Sequence, residues 1–353
     1  MIEGWCEGDK PLELKKERRL HQLPKGATAQ RWGNYITGAA GPYFVALAVI
    51  LIAIGVVCFF NVTAAGLSYP IITIPICVLI TVNLLMHYYY VVTVKPGFLE
   101  DPPREPGTGF LWAKKGSNKG KQKVLTGGVR WTSRGVKITP ATTTKCWKCN
   151  KLRPELTRFI ERTHHCKICN RFFSSSPQWI NQCVGLHNER HFVLFMAYLV
   201  VATFFFCLAG YDKFFESLGI SNDPWEHAVP EIMFAMIYIL CIVLCFAVGV
   251  MLSYHIYGIM WGETSVEAQD HEEYRKKAKA RNEDFVNSYD LGKRKNLQFF
   301  FNIGEGSYSI TTLFLPLRLM PYTDGFSWAR REGHDRHQGL RQGEELTDED
   351  DEV

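Results

Sequence analysis

The sequence predicts an all-α polytopic membrane protein: four transmembrane helices, with a small zinc-binding cysteine-rich domain in the loop between the second and third. Two observations predict the helices. Apolar residues are gathered into four long uncharged blocks, and segments dense in Lys, Arg, Asp and Glu separate them. A third predicts the domain. Five of the eleven cysteines fall in one short stretch between blocks two and three.

The first block runs from Pro42 to Phe60 and the second from Ser68 to Val94, with no charge in either. Each reaches the roughly 20 residues that span the hydrocarbon core. Asn61 to Leu67 is the turn between them. Pro70 and Pro75 sit in the first turns of the second span, where a missing N–H costs least. The third block covers Phe192 to Tyr211 and the fourth Ile232 to Trp261, joined by Lys213 to Pro230. The first 41 residues form a polar, basic segment. Residues 95–144 are rich in Gly, Pro, Lys and Ser and read as a flexible linker. The zinc domain then occupies 145–191. Beyond the fourth span, 262–353 is a polar region. Within it Gln269 to Val286 reads as a charged helix. Tyr308 to Pro321 is an apolar stretch too short to span, fit to lie at the interface. Glu344 to Glu352 is an acidic tail.

Net charge is +5, too mild to argue for nucleic acid. No secretory signal is visible, because the first thirty residues lack an apolar core. Orientation follows from the positive-inside bias. The loop over 95–190 holds about three basic residues per acidic one, while Asp212, Glu216, Asp223 and Glu226 make the connection after the third span acidic. The termini and the large loop are therefore expected in the cytosol. No charge sits mid-span, which disfavours a channel or transporter. His87 and Asn83 are the polar residues of span two, and helix–helix hydrogen bonds account for them.

Cys146-x2-Cys149 and Cys166-x2-Cys169 are two CxxC pairs with sixteen residues between them. Two thiolates three positions apart can turn onto one ion, and a second pair closes a tetrahedron. A reducing cytosol keeps such thiols free for metal. His165 abuts a candidate ligand, and Cys183 is a further one. Cys207, Cys241 and Cys245 lie in apolar blocks and read as small hydrophobes.

These residues resemble the DHHC family of protein S-acyltransferases, the palmitoyltransferases. The resemblance rests on Cys-x2-Cys, Arg153-Pro154, Arg162-Thr163-His164-His165-Cys166-x2-Cys169-Asn170-Arg171, Pro177, Trp179, Asn181, Cys183-Val184-Gly185, Asn188 and Phe192. Three outlying motifs agree. Pro96-Gly97 is similar to the family's Asp-Pro-Gly, with Lys95 in place of Asp. Thr264-Ser265-Val266-Glu267 is similar to its Thr-Thr-x-Glu. Asn287-x-Tyr289-x2-Gly292-x3-Asn296 is similar to its C-terminal motif, with Ser288 where Pro is usual.

The resemblance implies a cytosolic domain with two structural zincs, each held by three Cys and one His. Cys146, Cys149 and His165 would belong to one, and Cys166, Cys169 and Cys183 to the other. It also implies palmitoyl-CoA as acyl donor, membrane lipid and cytosolic or membrane substrate proteins as partners, and an endomembrane location (ER/Golgi or vacuole). In the family a cysteine thiolate attacks the palmitoyl thioester, a neighbouring His takes the proton, and the acyl-enzyme, a lipoprotein, passes its chain to a substrate Cys.

One departure is central. Where the family carries Asp-His-His-Cys, this chain reads Phe173-Ser174-Ser175-Ser176-Pro177. No catalytic residue is therefore assigned. A serine without a partner base does not replace a thiolate. Phe172 stands where the family supplies a further cysteine ligand. As written the chain is expected to be inactive unless its gene model is wrong at this gap. The alternative is a non-catalytic relative acting as a membrane scaffold, in which the two CxxC pairs hold a single zinc. A palmitoyl chain prefers lipid by on the order of 10 kcal/mol, so the family's chemistry calls for a cavity between spans. Ala39, Ala40, Ala46, Ala48, Ala53 and Gly55 are small enough to leave one.

Overall fold

The computed structural model describes residues 27–97, 106–114, 136–140, 142–145, 152–155, 164–166, 171–173, 180, 182, 184–220, 224–304, 307–323, 327–334 and 337–341. Four helices are long and apolar enough to cross a bilayer. The first apolar block lies in α1 (Ala27–Cys58), whose apolar part continues through a π turn at Phe59–Thr63 and a 3-10 turn at Ala64–Gly66. A left-handed Tyr69 (φ 54°) then turns the chain into α2 (Pro70–Thr93), with proline at its first position. The third block is α3 (Glu189–Ala209), followed by a short α4 (Tyr211–Ser217). The fourth is α5 (Glu231–Trp261). Mean hydropathy over the four spans runs from 2.0 to 2.9.

Helix α3 packs between α2 and α5. Two buried clusters close the bundle at its ends. Phe59, Phe206, Phe234 and Tyr238 form one, with the Phe214 ring stacked on Tyr238 at 4.4 Å. Leu84, Tyr88, Phe192, Phe195, Met196 and Val248 form the other, nearer the cysteine-rich segment. The outer surface is apolar too. Ile71, Ile232 and Phe246 are 89%, 79% and 75% exposed, an arrangement suited to lipid rather than water. Cys241 and Cys58 are buried among apolar neighbours, as small hydrophobes would be.

Between α2 and α3 the described backbone is β, not helix. β1 (Val136–Pro140) lies within the stretch read from sequence as linker. It pairs antiparallel with β6 (Ser327–Arg331), Val136 opposite Arg331 and Pro140 opposite Ser327. A partner some 190 positions away (331 − 136 = 195) leaves no local trace, which is why the sequence reads as linker there. β2 (Thr142–Lys145) pairs with β3 (Leu152–Glu155), and β4 (His164–Cys166) with β5 (Arg171–Phe173).

Beyond α5 come α6 (Ser265–Lys279) and α7 (Lys293–Phe301). The charged helix starts earlier than the sequence pattern suggests because Thr264 caps it. Thr264 Oγ1 accepts from Glu267 N, and Thr264 N donates to Glu267 Oε2 at 2.7 Å. This is a capping box. Thr264→Ala is expected to cost about 1 kcal/mol, read as a lowered unfolding temperature of the purified protein. The basic run on this helix is paired locally: Lys276 Nζ lies 2.7 Å from Glu273 and 3.3 Å from Glu272. That hydrogen bond holds the Glu273 carboxyl below its usual range. A solvated helix face is the result.

Candidate active site

A cavity of about 510 Å³ runs between the two buried clusters, bordered by α1, α2, α3 and α5. Its size falls in the ~300–1,000 Å³ range of small-molecule sites. On α2 the lining extends from Cys77 to Tyr88, and on α5 from Ile237 to Met251. At 1.5 Å per residue those stretches are roughly 16 and 21 Å long, more than half the hydrocarbon core. The walls are almost wholly apolar. The hydroxyls of Thr81 and Thr203 turn back to donate to Cys77 O and Leu199 O, both at 2.8 Å. With those two hydroxyl protons taken up by their own helices, the slot suits a hydrocarbon chain. Two of the small residues singled out in span one, Ala48 and Gly55, line it. A Cβ on Gly55 would meet nothing within 4 Å. Ala46 and Ala53 are exposed on the outside of the bundle, and the side chains of Ala39 and Ala40 lie outside the described residues.

Four of the six zinc-ligand candidates, Cys146, Cys149, Cys166 and Cys169, fall at the ends of two strand pairs, while His165 sits mid-ladder opposite Phe172 and Cys183 lies beyond both. The β2–β3 ladder closes at Lys145 opposite Leu152, and Cys146 and Cys149 belong to the connection between them. The β4–β5 ladder closes at Cys166 opposite Arg171, with Cys169 in its connection. Cys146, Cys149, Cys169 and Cys183 themselves lie outside the described residues, as does the Ser174–Pro177 stretch where the tetrad is missing. His165 and Cys166 are described by backbone alone. Among the described residues no three metal-binding side chains converge.

The outlying motifs meet at the membrane end of this lobe. Gln182 Nε2 donates to Val91 O and, at 3.1 Å, to Val94 O, closing the last turn of α2. Pro96 and Gly185 touch so closely that a Cβ on Gly185 would stand 2.9 Å from Pro96 O. His187 N donates to that same oxygen at 3.0 Å. Asn188 Oδ1 accepts from Gly185 N at 2.7 Å.

The C-terminal motif clasps the end of α5. Asn287 Nδ2 donates to Trp261 O at 3.1 Å and Asn296 Nδ2 to Met260 O at 2.8 Å, so carbonyls that a helix end leaves orphaned are satisfied. Asn296 Oδ1 accepts from Leu291 N at 3.0 Å. Tyr289 Oη accepts from the buried Arg330 Nη2 at 2.7 Å. Gly292 holds φ +93°.

Sequence reasoning misses two things. One is Arg190, buried at the start of α3. Its Nη2 donates to Thr312 O at 2.8 Å and its Nε to Phe301 O at 3.3 Å. Arg190→Met strips two charge-assisted bonds from buried carbonyls and is expected to cost about 3 kcal/mol, measured by thermal unfolding. A lone arginine beside an uncharged block is the available signal. The other is the depth of the apolar stretch after Tyr308. Asn83 Nδ2 donates to Phe314 O at 2.9 Å, Tyr198 Oη to Leu313 O at 2.7 Å and Tyr90 Oη to Pro316 O at 3.1 Å. Asn83 lies ten residues before the end of α2 (93 − 83 = 10), roughly 15 Å into the span. The segment thus dips beside α2 and α3 rather than resting on the surface. Its irregular backbone is tolerable there because helix side chains satisfy it. His87 does bond across helices, its Nδ1 3.1 Å from that of His191.

Known proteins bear on this arrangement. Residues 140–272 match the family profile described as DHHC palmitoyltransferase. The mouse palmitoyltransferase ZDHHC16 is 25% identical over 257 residues, covering 69% of this chain and 60% of the mouse protein. The human ZDHHC16 is 24% identical over 274 residues, with 69% and 62% covered. A probable protein S-acyltransferase of Arabidopsis thaliana, number 16, is 29% identical over 158 residues, with 43% and 52% covered. The chain thus spans about three fifths of the length of the mammalian relatives it matches. With the motif order around four spans, these matches place a DHHC palmitoyltransferase domain over residues 140–272 and make the chain similar to the DHHC-type palmitoyltransferases.

Proposed function

We propose that the chain serves protein S-palmitoylation, taking the acyl chain of palmitoyl-CoA into the four-helix cavity, with delivery to cysteine thiols of substrate proteins by a form that carries the family's Asp-His-His-Cys. The observation that carries this is the cavity: bordered by all four spans, almost wholly apolar, and long in the direction of the membrane normal. Transfer would proceed by two thioester exchanges. A thiolate attacks the palmitoyl thioester and CoA leaves as a thiol; the substrate thiolate then displaces the enzyme sulfur, and the chain ends as a thioester of the substrate. Both steps exchange like for like, so no outside energy source is needed.

The stretch Phe173–Pro177 supplies no thiol for the first exchange. The chain as it stands is therefore expected to bind palmitoyl-CoA without becoming acylated. Transfer belongs to a form carrying Asp-His-His-Cys at that gap. A scaffold role is the second reading, favoured by that one absence.

Zinc would be structural. The two hairpin ends and the Cys/His donor set fit it. We assign Cys146, Cys149 and His165 to one ion and Cys166, Cys169 and Cys183 to the other. Successive positions of a strand fall on opposite faces of its ladder, which supports giving His165 and Cys166 to different ions. Bound zinc would fix the hairpins against one another. We further propose that the lobe and both termini face the cytosol, in the endomembrane system.

The test is palmitoyl-CoA binding to the purified full chain in nanodiscs, with hydroxylamine-sensitive labelling read in parallel. Saturable binding without labelling is expected. No binding, or labelling of this chain, contradicts the reading.

A further inference from the structure

A second cleft lies at the lobe-side end of α2, outside the four-helix cavity, and the two share no lining residue. It encloses about 340 Å³. Lys95, His187, His191 and Arg318 line it, with Trp112 as one wall. Among the described residues that line it there is no carboxylate.

Arg318 is held in place before any ligand arrives. Its backbone N donates to Leu111 O at 2.8 Å, and its carbonyl accepts from Ala113 N at 3.0 Å. Its guanidinium lies 4.5 Å from the Trp112 ring and 5.8 Å from that of Tyr90. Stacked planar cations of this kind are suited to phosphate, and Arg318 forms no ion pair among the described residues. Behind the cleft stands Arg190, in an adjoining cavity that shares His187 and His191 as walls. Among the described residues it too is without a carboxylate partner, and its Nη1 has no hydrogen-bond partner there. Arg190 lines that adjoining cavity together with Glu189 and Glu263, and Arg318 is thus the guanidinium that faces this small polar space at the end of a membrane span with no described counter-charge. An anion is the missing element.

The position selects which anion. Deeper along the same C-terminal segment, Ile310, Phe314 and Leu315 stand exposed on the outside of the bundle. The Asn83–Phe314 bond places them within the span rather than above it. On α2 the residues facing this segment, Asn83, His87 and Tyr90, lie on a different face from Cys77, Leu84 and Tyr88, which line the four-helix cavity. A phosphate bound at Arg318 would therefore have lipid-facing apolar side chains below it and would leave the cavity clear.

We infer that the cleft of Lys95, His187 and Arg318 binds the phosphate of an anionic phospholipid from the lobe-side leaflet, whose acyl tails run along Ile310, Phe314 and Leu315. The site is separate from the one that holds palmitoyl-CoA. It would add to the Asn83, Tyr90 and Tyr198 bonds that already hold the C-terminal segment on α2 and α3, most in a membrane rich in acidic lipid.

The full chain in neutral detergent is titrated with short-chain phosphatidic acid, phosphatidylcholine, free CoA or inorganic phosphate, and its unfolding temperature is followed. Phosphatidic acid should raise it saturably, and the other three should neither raise it nor compete. Arg318→Gln should weaken the phosphatidic acid response roughly fivefold in midpoint concentration, the size expected for one basic contact to acidic lipid. Lys95→Gln, further from the aromatic stack, should do the same and guards against a folding defect in the first variant. An unchanged midpoint in both variants would overturn the assignment. So would an equal response to phosphatidylcholine. Competition by CoA would instead give the cleft to the acyl donor, and competition by inorganic phosphate would remove the lipid from it; either result defeats the inference.

Discussion

Stripping zinc from the purified protein is expected to unfold the cysteine-rich lobe while leaving the four spans intact. Among its described residues little else holds it. Its described ladders are two-stranded and three to five residues long, and an isolated hairpin of that size is marginal in water. A structural zinc contributes about 10–16 kcal/mol of folding free energy, more than the entire stability of many domains. The spans depend instead on their own buried clusters and on lipid. After chelation, trypsin should cut at Arg158, Arg162 and Arg171 and leave α3 and α5 protected. A lobe that stays resistant would mean that its stability does not come from metal. Metal content refines the test: two zincs per chain agree with the assignment of His165 and Cys183 as ligands, whereas one leaves only the paired cysteines.

Closing the cavity should abolish acyl-chain binding without unfolding the bundle. Gly55 is the position for it, because it lines the slot and a side chain there would enter open space. Gly55→Phe would displace on the order of four methylenes of a bound chain. At about 0.8 kcal/mol each, the loss is near 3 kcal/mol, roughly two orders of magnitude in affinity. Overpacking costs stability only where space is already filled, so the unfolding temperature should hold or rise. Competition by palmitoyl-CoA against a fluorescent analogue reads the affinity. Phe246→Ala, on the lipid-facing surface of α5, is the control and should leave it unchanged.

Much of this architecture is legible in the amino-acid sequence itself. Four uncharged blocks report spans because lipid cannot solvate charge, and α2, α3 and α5 lie within a few residues of the expected ends, whereas α1 starts at Ala27 rather than Pro42 and its apolar part runs on through the expected turn to Gly66. The motif Thr264-x2-Glu267 is a capping box whose partners lie three apart, a start signal that the reading of the charged helix from Gln269 passed over. What is not legible is long-range. The pairing of β1 with β6 joins residues far apart in sequence through backbone groups that carry no signature. The descent of the 309–318 segment depends on Asn83, Tyr90 and Tyr198, which taken singly look like ordinary polar residues in spans. Small residues in span one point to the cavity, yet of the four whose side chains are described only Ala48 and Gly55 line it. The rest of its wall is made of ordinary aliphatic and aromatic side chains that happen not to meet. Sequence shows where small residues are, but not which helix face turns inward.

The account stands on an acyl chain entering between the four spans, and a palmitoyl-CoA analogue with a photoreactive group near the chain terminus tests this directly. Irradiated with the full chain in nanodiscs, it should mark Phe59, Cys77, Phe206 or Ile237, the lining furthest from the lobe. Labelling confined to outward-facing residues such as Ile71 and Phe246 would show the chain lying in bulk lipid, and the proposed function would fall with it.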